Sequence, residues 1–175
     1  MKRKILLWEL VGIVVIFLLS SLFHFGFAWS GNNPALAFVF ATNESTWEHM
    51  KIFFWATLLF GLVEFAVGIR GPNFIFAKGL AVFLVPFLIP LLFYGTLAIL
   101  GGDSLIMDLL IGLLAVAAGQ GVSVTVLRKR PLSKSFTWFG FLLCLLLIVV
   151  FVVFSYVPPH NFLFEDPRNG MFGIP

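Results

Sequence analysis

The sequence is poor in charge. Asp, Glu, Lys and Arg together make up 11% of its 175 residues, against roughly 25% in a soluble domain. Hydrophobic residues make up 61%. A water-soluble fold of one domain's length could not hide that much apolar surface, so the solvent is expected to be lipid. Cysteine is nearly absent. The single Cys144 excludes an intrachain disulfide and any cysteine-built metal site. There is no zincin helix motif, nucleophile elbow or P-loop, so no enzyme class marked by those motifs is supported. No sustained internal repeat gives support to an inverted-repeat transporter. The net charge of +3 resides in short basic clusters between apolar runs, which does not suit a nucleic-acid partner.

What is present is a set of long apolar stretches. A helix needs about 20 apolar residues to cross a bilayer. Five stretches qualify, over about 5–27, 50–69, 76–100, 104–127 and 136–157. The expected fold class is all-α: a polytopic transmembrane helix bundle of about five spans in a single membrane domain, 1–175. Gly101-Gly102 stops the third span, and Asp103 or Ser104 can cap the fourth, with Asp103 the simpler choice. Pro158-Pro159 stops the fifth. Pro86 and Pro90 should kink the third, which a bundle tolerates. The 23 Phe residues suit lipid-facing and interfacial surfaces.

Lys and Arg in the short loops set orientation. Lys2, Arg3, Lys4, Arg70, Lys78, Arg128, Lys129, Arg130 and Lys134 share the side of the N-terminus, nine of the eleven basic residues. Only Lys51 and Arg168 fall opposite. The bias predicts an N-in/C-out protein of the plasma membrane, with an outer loop 28–49 and an outer tail 158–175. The first span has a basic start, and Ala28-Trp29-Ser30 resembles a cleavage site. Its apolar region nevertheless exceeds the roughly 7–15 residues of a signal peptide. In the fourth span Gly112, Ala115, Gly119 and Ser123 form one small-residue stripe, which lets a neighbouring helix approach closely and marks that helix as central. The fifth span, rich in Leu, Val and Phe all round, is expected to face lipid.

The rare polar residues gather on the expected outer side. All three histidines, His24, His49 and His160, lie there, with Glu44, Glu48, Asp103, Asp108, Glu165 and Asp166. Asn33-Pro34 reads as a helix start, followed by an apolar stretch, 35–41, too short to span a bilayer. It should dip into the interface or pack over the outer mouth of the bundle. Ser45-x-x-Glu48 is a capping box, and Glu48 with Lys51 at i,i+3 reads as a surface pair. Capping accounts for Ser45 and Glu48 without function, but not for Trp47 or His49. The chemical reading is a zinc site, since zinc takes imidazole and carboxylate ligands and keeps an open position when catalytic. In that reading His24, His49 and His160 are metal ligands, and Glu44, Glu48 or Asp108 is the general base. Asp108, one turn before Gly112, either reaches the water layer or is a buried carboxylate beside the site. Asp166-Pro167-Arg168-Asn169-Gly170 signals a turn, so the tail should fold back over the outer mouth. An inner layer holds Glu9, Glu64 and Gln120. The two acids either snorkel or pair with Lys4, Arg70 or Lys78, or else carry function.

Trp29 to Pro34, the segment Asn43-Glu44-Ser45-Thr46-Trp47-Glu48-His49, and Pro158-Pro159-His160 followed by Asp166-Pro167 resemble a family of small bacterial multi-pass membrane proteins of unknown function. The resemblance covers most of the chain. It implies the topology and brings no activity or ligand with it. Two functions remain open. One is a metal-dependent hydrolase or transferase acting at the membrane surface, with Trp29 and Trp47 bordering a lipid-like or small-molecule substrate. The other is a non-enzymatic membrane component: a partner subunit, a small-solute permease or a lipid-binding protein.

Overall fold

The computed structural model describes residues 2–175, without the side chain of Lys2. It is all-helical, and five helices are long and apolar enough to cross a membrane. They are α1 (Lys2–Trp29), α2 (Thr46–Ala66), α3 (Phe74–Leu100), α4 (Leu105–Leu127) and α5 (Lys134–Tyr156). α2 starts four residues before the apolar run, because Ser45 caps it by accepting from the Glu48 amide at 3.4 Å. α3 ends at Gly101, whose left-handed φ of 71° closes the helix. Ser104 rather than Asp103 caps α4, its hydroxyl accepting from the Met107 amide at 3.3 Å.

α3 packs against α2, α4 and α5, while α1 closes the bundle against α2 and α4. The small-residue stripe of α4 is buried as its pattern predicts. A Cβ at Gly119 would stand 2.3 Å from the Val85 side chain, and one at Gly112 would stand 2.6 Å from the Phe53 ring. α3 makes the most extensive contacts with other helices, however, and α2 is the most enclosed of the five. α4 is therefore a packed helix but not the centre. α5 leaves most of its surface outward, including Leu142. It meets α3 backbone to backbone: a Cβ on Gly79 would stand 2.6 Å from the Gly140 carbonyl oxygen.

The two ends of the bundle are built differently. At one end Asn73 is buried and ties two loops together. Its amide donates to the carbonyls of Val126 and Arg130 at 3.1 Å each, and its oxygen accepts from the Leu132 amide at 2.9 Å. This end carries Arg70 and the run Arg128–Arg130 and is called the basic face below. The opposite, tail face is covered by residues 30–45 and 157–175. Asn33 caps a single 3-10 turn, Pro34–Leu36. The apolar stretch then packs onto the bundle, with Ala37 and Ala41 buried. The tail folds back as its turn residues predict. An aromatic ladder of Phe164, Trp47, Phe151 and Phe54, with neighbouring ring centroids 4.4–4.7 Å apart, seats it on α2 and α5. Trp47 is thus a core residue that anchors the tail.

Candidate metal centre

The tail-face site begins with how residues 42–51 are held. Glu48 and Lys51 do not form the expected surface pair. Both are buried, the Lys51 ammonium 2.5 Å from the Glu48 carboxylate. Lys51 also donates to the Ala37 carbonyl at 2.6 Å, and Glu48 accepts from the Thr42 amide at 2.7 Å. The capping box is consequently half-formed, with Glu48 reaching past the cap to fasten the loop. Asn43 takes over its other half, accepting from the Ser45 amide at 2.8 Å. Asn43 also donates to the Gly173 carbonyl at 2.8 Å and so joins loop to tail.

This scaffold leaves Glu44 facing the tail-face ends of two helices. One carboxylate oxygen lies 3.6 Å from His24 Nε2, near the end of α1. The other lies 3.9 Å from His49 Nε2, in the first turn of α2. The two imidazoles are 5.3 Å apart between centroids. One ligand atom from each of His24, Glu44 and His49 falls within 4.8 Å of the others. Tetrahedral zinc, with bonds near 2.0–2.1 Å, sets its ligands roughly 3.3 Å apart. Small side-chain rotations would bring the three atoms to that spacing. His49 is already oriented, because its Nδ1 lies 2.9 Å from the Ser45 carbonyl oxygen. A carbonyl only accepts, so Nδ1 carries a proton and Nε2 is the ring nitrogen turned toward Glu44, the one that would ligate a metal.

The other residues proposed from sequence sit elsewhere. His160 is exposed and stacks on Phe172, centroids 4.5 Å apart, outside the group of three. Glu48 is engaged by Lys51 and Thr42. Asp108 is exposed in the first turn of α4, so it is not a buried carboxylate. Trp29 is exposed and stacks on Phe25.

Two tail residues that the turn signal alone did not mark as part of a site complete the surroundings. A cavity of about 310 Å³ is lined by His24, Thr42, Glu44, Asp166, Arg168 and Asn169, among others. Arg168 places Nη2 3.1 Å from Glu44, which gives the cavity a cation beside the carboxylate. Asp166 is buried and accepts from the Arg168 amide at 3.0 Å, fixing the turn that presents the guanidinium. Arginine placed in this way recognises carboxylate or phosphate groups.

Five apolar spans and a partly exposed His/carboxylate cluster define a multi-pass membrane protein with one polar site at the tail face. The chain belongs to DUF6512, a family of unknown function whose model matches residues 1–174. No similar curated protein and no similar solved structure was found.

Proposed function

We propose that the protein lies in the plasma membrane with its tail face outward and acts there as a metal-dependent hydrolase or transferase. The observation that carries this reading is the convergence of His24, Glu44 and His49 beside a polar cavity. Three protein ligands leave a tetrahedral zinc one position for water, whose pKa the ion lowers toward neutrality. Arg168 would bind the anionic part of a lipid-like or small-molecule substrate. The nine-to-two basic bias supports the orientation.

A second reading, a non-enzymatic membrane component, has its own support. Arg168 approaches Glu44 more closely than either histidine does. The cluster would then be a latch that holds the tail to the loop.

Zinc titration of metal-stripped, detergent-purified protein separates the two. The enzymatic reading expects one zinc per chain. His49→Ala and Glu44→Ala should each weaken binding by more than about 100-fold, beyond the usual cost of losing a mere supporting residue. Binding should also weaken as the pH falls from about 7.5 to about 5.5, because imidazole must be neutral to ligate. No stoichiometric zinc in the unaltered protein would leave the latch reading. A reporter fused after Pro175 should be active only outside the cell, and a cytoplasmic signal would reverse the orientation.

A further inference from the structure

A second polar cluster lies near the basic face, and four helices build it. Glu9 comes from α1, Glu64 from α2, Lys78 from α3, and Gln120 and Ser123 from α4. All five are buried, Glu64 and Ser123 completely. The Lys78 ammonium is 2.7 Å from Glu9 and 2.5 Å from Glu64. We infer that this cluster is a proton-binding site, holding one exchangeable proton on the carboxyl of Glu64.

The argument begins with charge. Two carboxylates face one ammonium, and among the described residues no second cation lies within ion-pair distance of either acid. Arg70 is exposed at the same face, with its guanidinium over the Phe65 ring. Arg3 and Lys4 are exposed, and Lys134 on α5 is exposed as well. Gln120 and Ser123 are neutral. An unpaired buried carboxylate is expensive enough that such a group takes up a proton instead.

Hydrogen bonding decides which acid is neutral. One oxygen of Glu9 accepts from both Lys78, at 2.7 Å, and Ser123, at 2.8 Å. Charge-assisted bonds of that kind favour an ionised acceptor. Glu64 meets the same ammonium at 2.5 Å, but no second donor reaches it, and its other oxygen has no hydrogen-bond partner. Glu9 is therefore the counter-ion of Lys78, and Glu64 is the neutral acid.

An independent feature points the same way. The Gln120 amide nitrogen is buried without a partner, on the same face of α4 as Ser123. It lies against Gly12, one turn along α1 from Glu9, where a Cβ would stand 2.2 Å from it. The second oxygen of Glu9 is also unpartnered. Unsatisfied donors and acceptors gathered in one buried place are the usual setting for bound water, and such water would carry the proton to and from Glu64. The distance to cover is short. Glu64 is two residues from the end of α2, and Lys78 lies in the second turn of α3.

Infrared spectroscopy of the full chain in lipid nanodiscs, with 13C-labelled glutamate, tests this by counting protons. The unaltered protein at pH ~7 should show the carbonyl band of one protonated glutamic acid, well above the pH at which an exposed side chain has ionised, near 4.3. Glu64→Gln should abolish the band. Glu9→Gln should abolish it too, because Glu64 then becomes the sole counter-ion of Lys78. Lys78→Met should double it. No band in the unaltered protein would overturn the inference. So would a band that survives both glutamine substitutions, or one that appears only when sodium is withheld, which would make the ligand a metal cation. The measurement on the unaltered chain stands even where a variant fails to fold, and none of it depends on zinc at the tail face.

Discussion

The two polar clusters use similar residues under opposite solvent conditions. At the tail face, one carboxylate is shared by two imidazoles and a guanidinium, and the histidine and glutamate side chains keep 25–34% of their surface exposed. Near the basic face, one ammonium is shared by two carboxylates that keep at most 3%. The exposed cluster has cationic and neutral donors to spare and can exchange partners with water, which suits a site that takes up a ligand and gives it back. The buried cluster has acid to spare and no solvent to absorb the charge, so its composition must balance internally. Exposure, more than residue type, decides what each can do.

The largest expected effect tests whether burial, rather than the face of the bundle, is the controlling variable. Lys51 lies two residues from His49 but is wholly buried. Lys51→Met should therefore behave as a change in a buried cluster. It strands the Glu48 carboxylate and should cost about 3–5 kcal/mol, as breaking a buried pair does. Unfolding of the purified variant in detergent measures this, and a loss below about 1 kcal/mol would break the comparison. An intermediate effect comes from the framework between the clusters. Gly119→Leu drives a side chain into Val85 and should cost roughly 1–3 kcal/mol. Leu142→Ala on the outward surface of α5 should stay within about 0.5 kcal/mol. Equal losses would mean that the small-residue stripe does not govern packing. The smallest effect is Arg168→Gln. Its side chain is 73% exposed, so losing the contact with Glu44 should change stability by less than about 1 kcal/mol. Proteolysis of the tail would show whether so weak a contact still orders residues 165–173.

Much of the fold could be read from the chain because membrane helices announce themselves. Five apolar runs, the small residues of α4 and the Asp166–Gly170 turn each depend on local pattern, and each appears where that pattern puts it. The candidate site was legible in part. His24 and His49 could be nominated as ligands because both helix ends lie at similar depth, whereas Glu44, expected as a base, stands among the ligand atoms instead. Nothing in the sequence indicated that the tail would bring Arg168 to Glu44 while His160 stacks on Phe172. Lys51 misled for a different reason. Beside a capping box it reads as a surface residue, whereas Lys78 reads both as a topology marker and as a partner for Glu9 and Glu64. Lys51 is buried because Glu48, on the same helix, turns inward with it beneath the Ala37 carbonyl. The pairing of Lys78 with Glu9 and Glu64 spans three helices and leaves no periodic trace in any one of them. Glu9 and Glu64 did suggest a partner such as Lys78, but their convergence on it with Ser123 follows only from packing.

The contact between Gly79 and Gly140 bears on Lys78, the adjacent residue. With no side chain between the two backbones, α3 is staked to α5 at that depth and has nothing soft to slide on. The ammonium of Lys78 thus moves on a leash of four methylenes whose post cannot shift. It can lean toward Glu9 or toward Glu64, but it is too firmly moored to follow either acid elsewhere. Whatever the occupancy of the two carboxyls, the positive charge stays at one address.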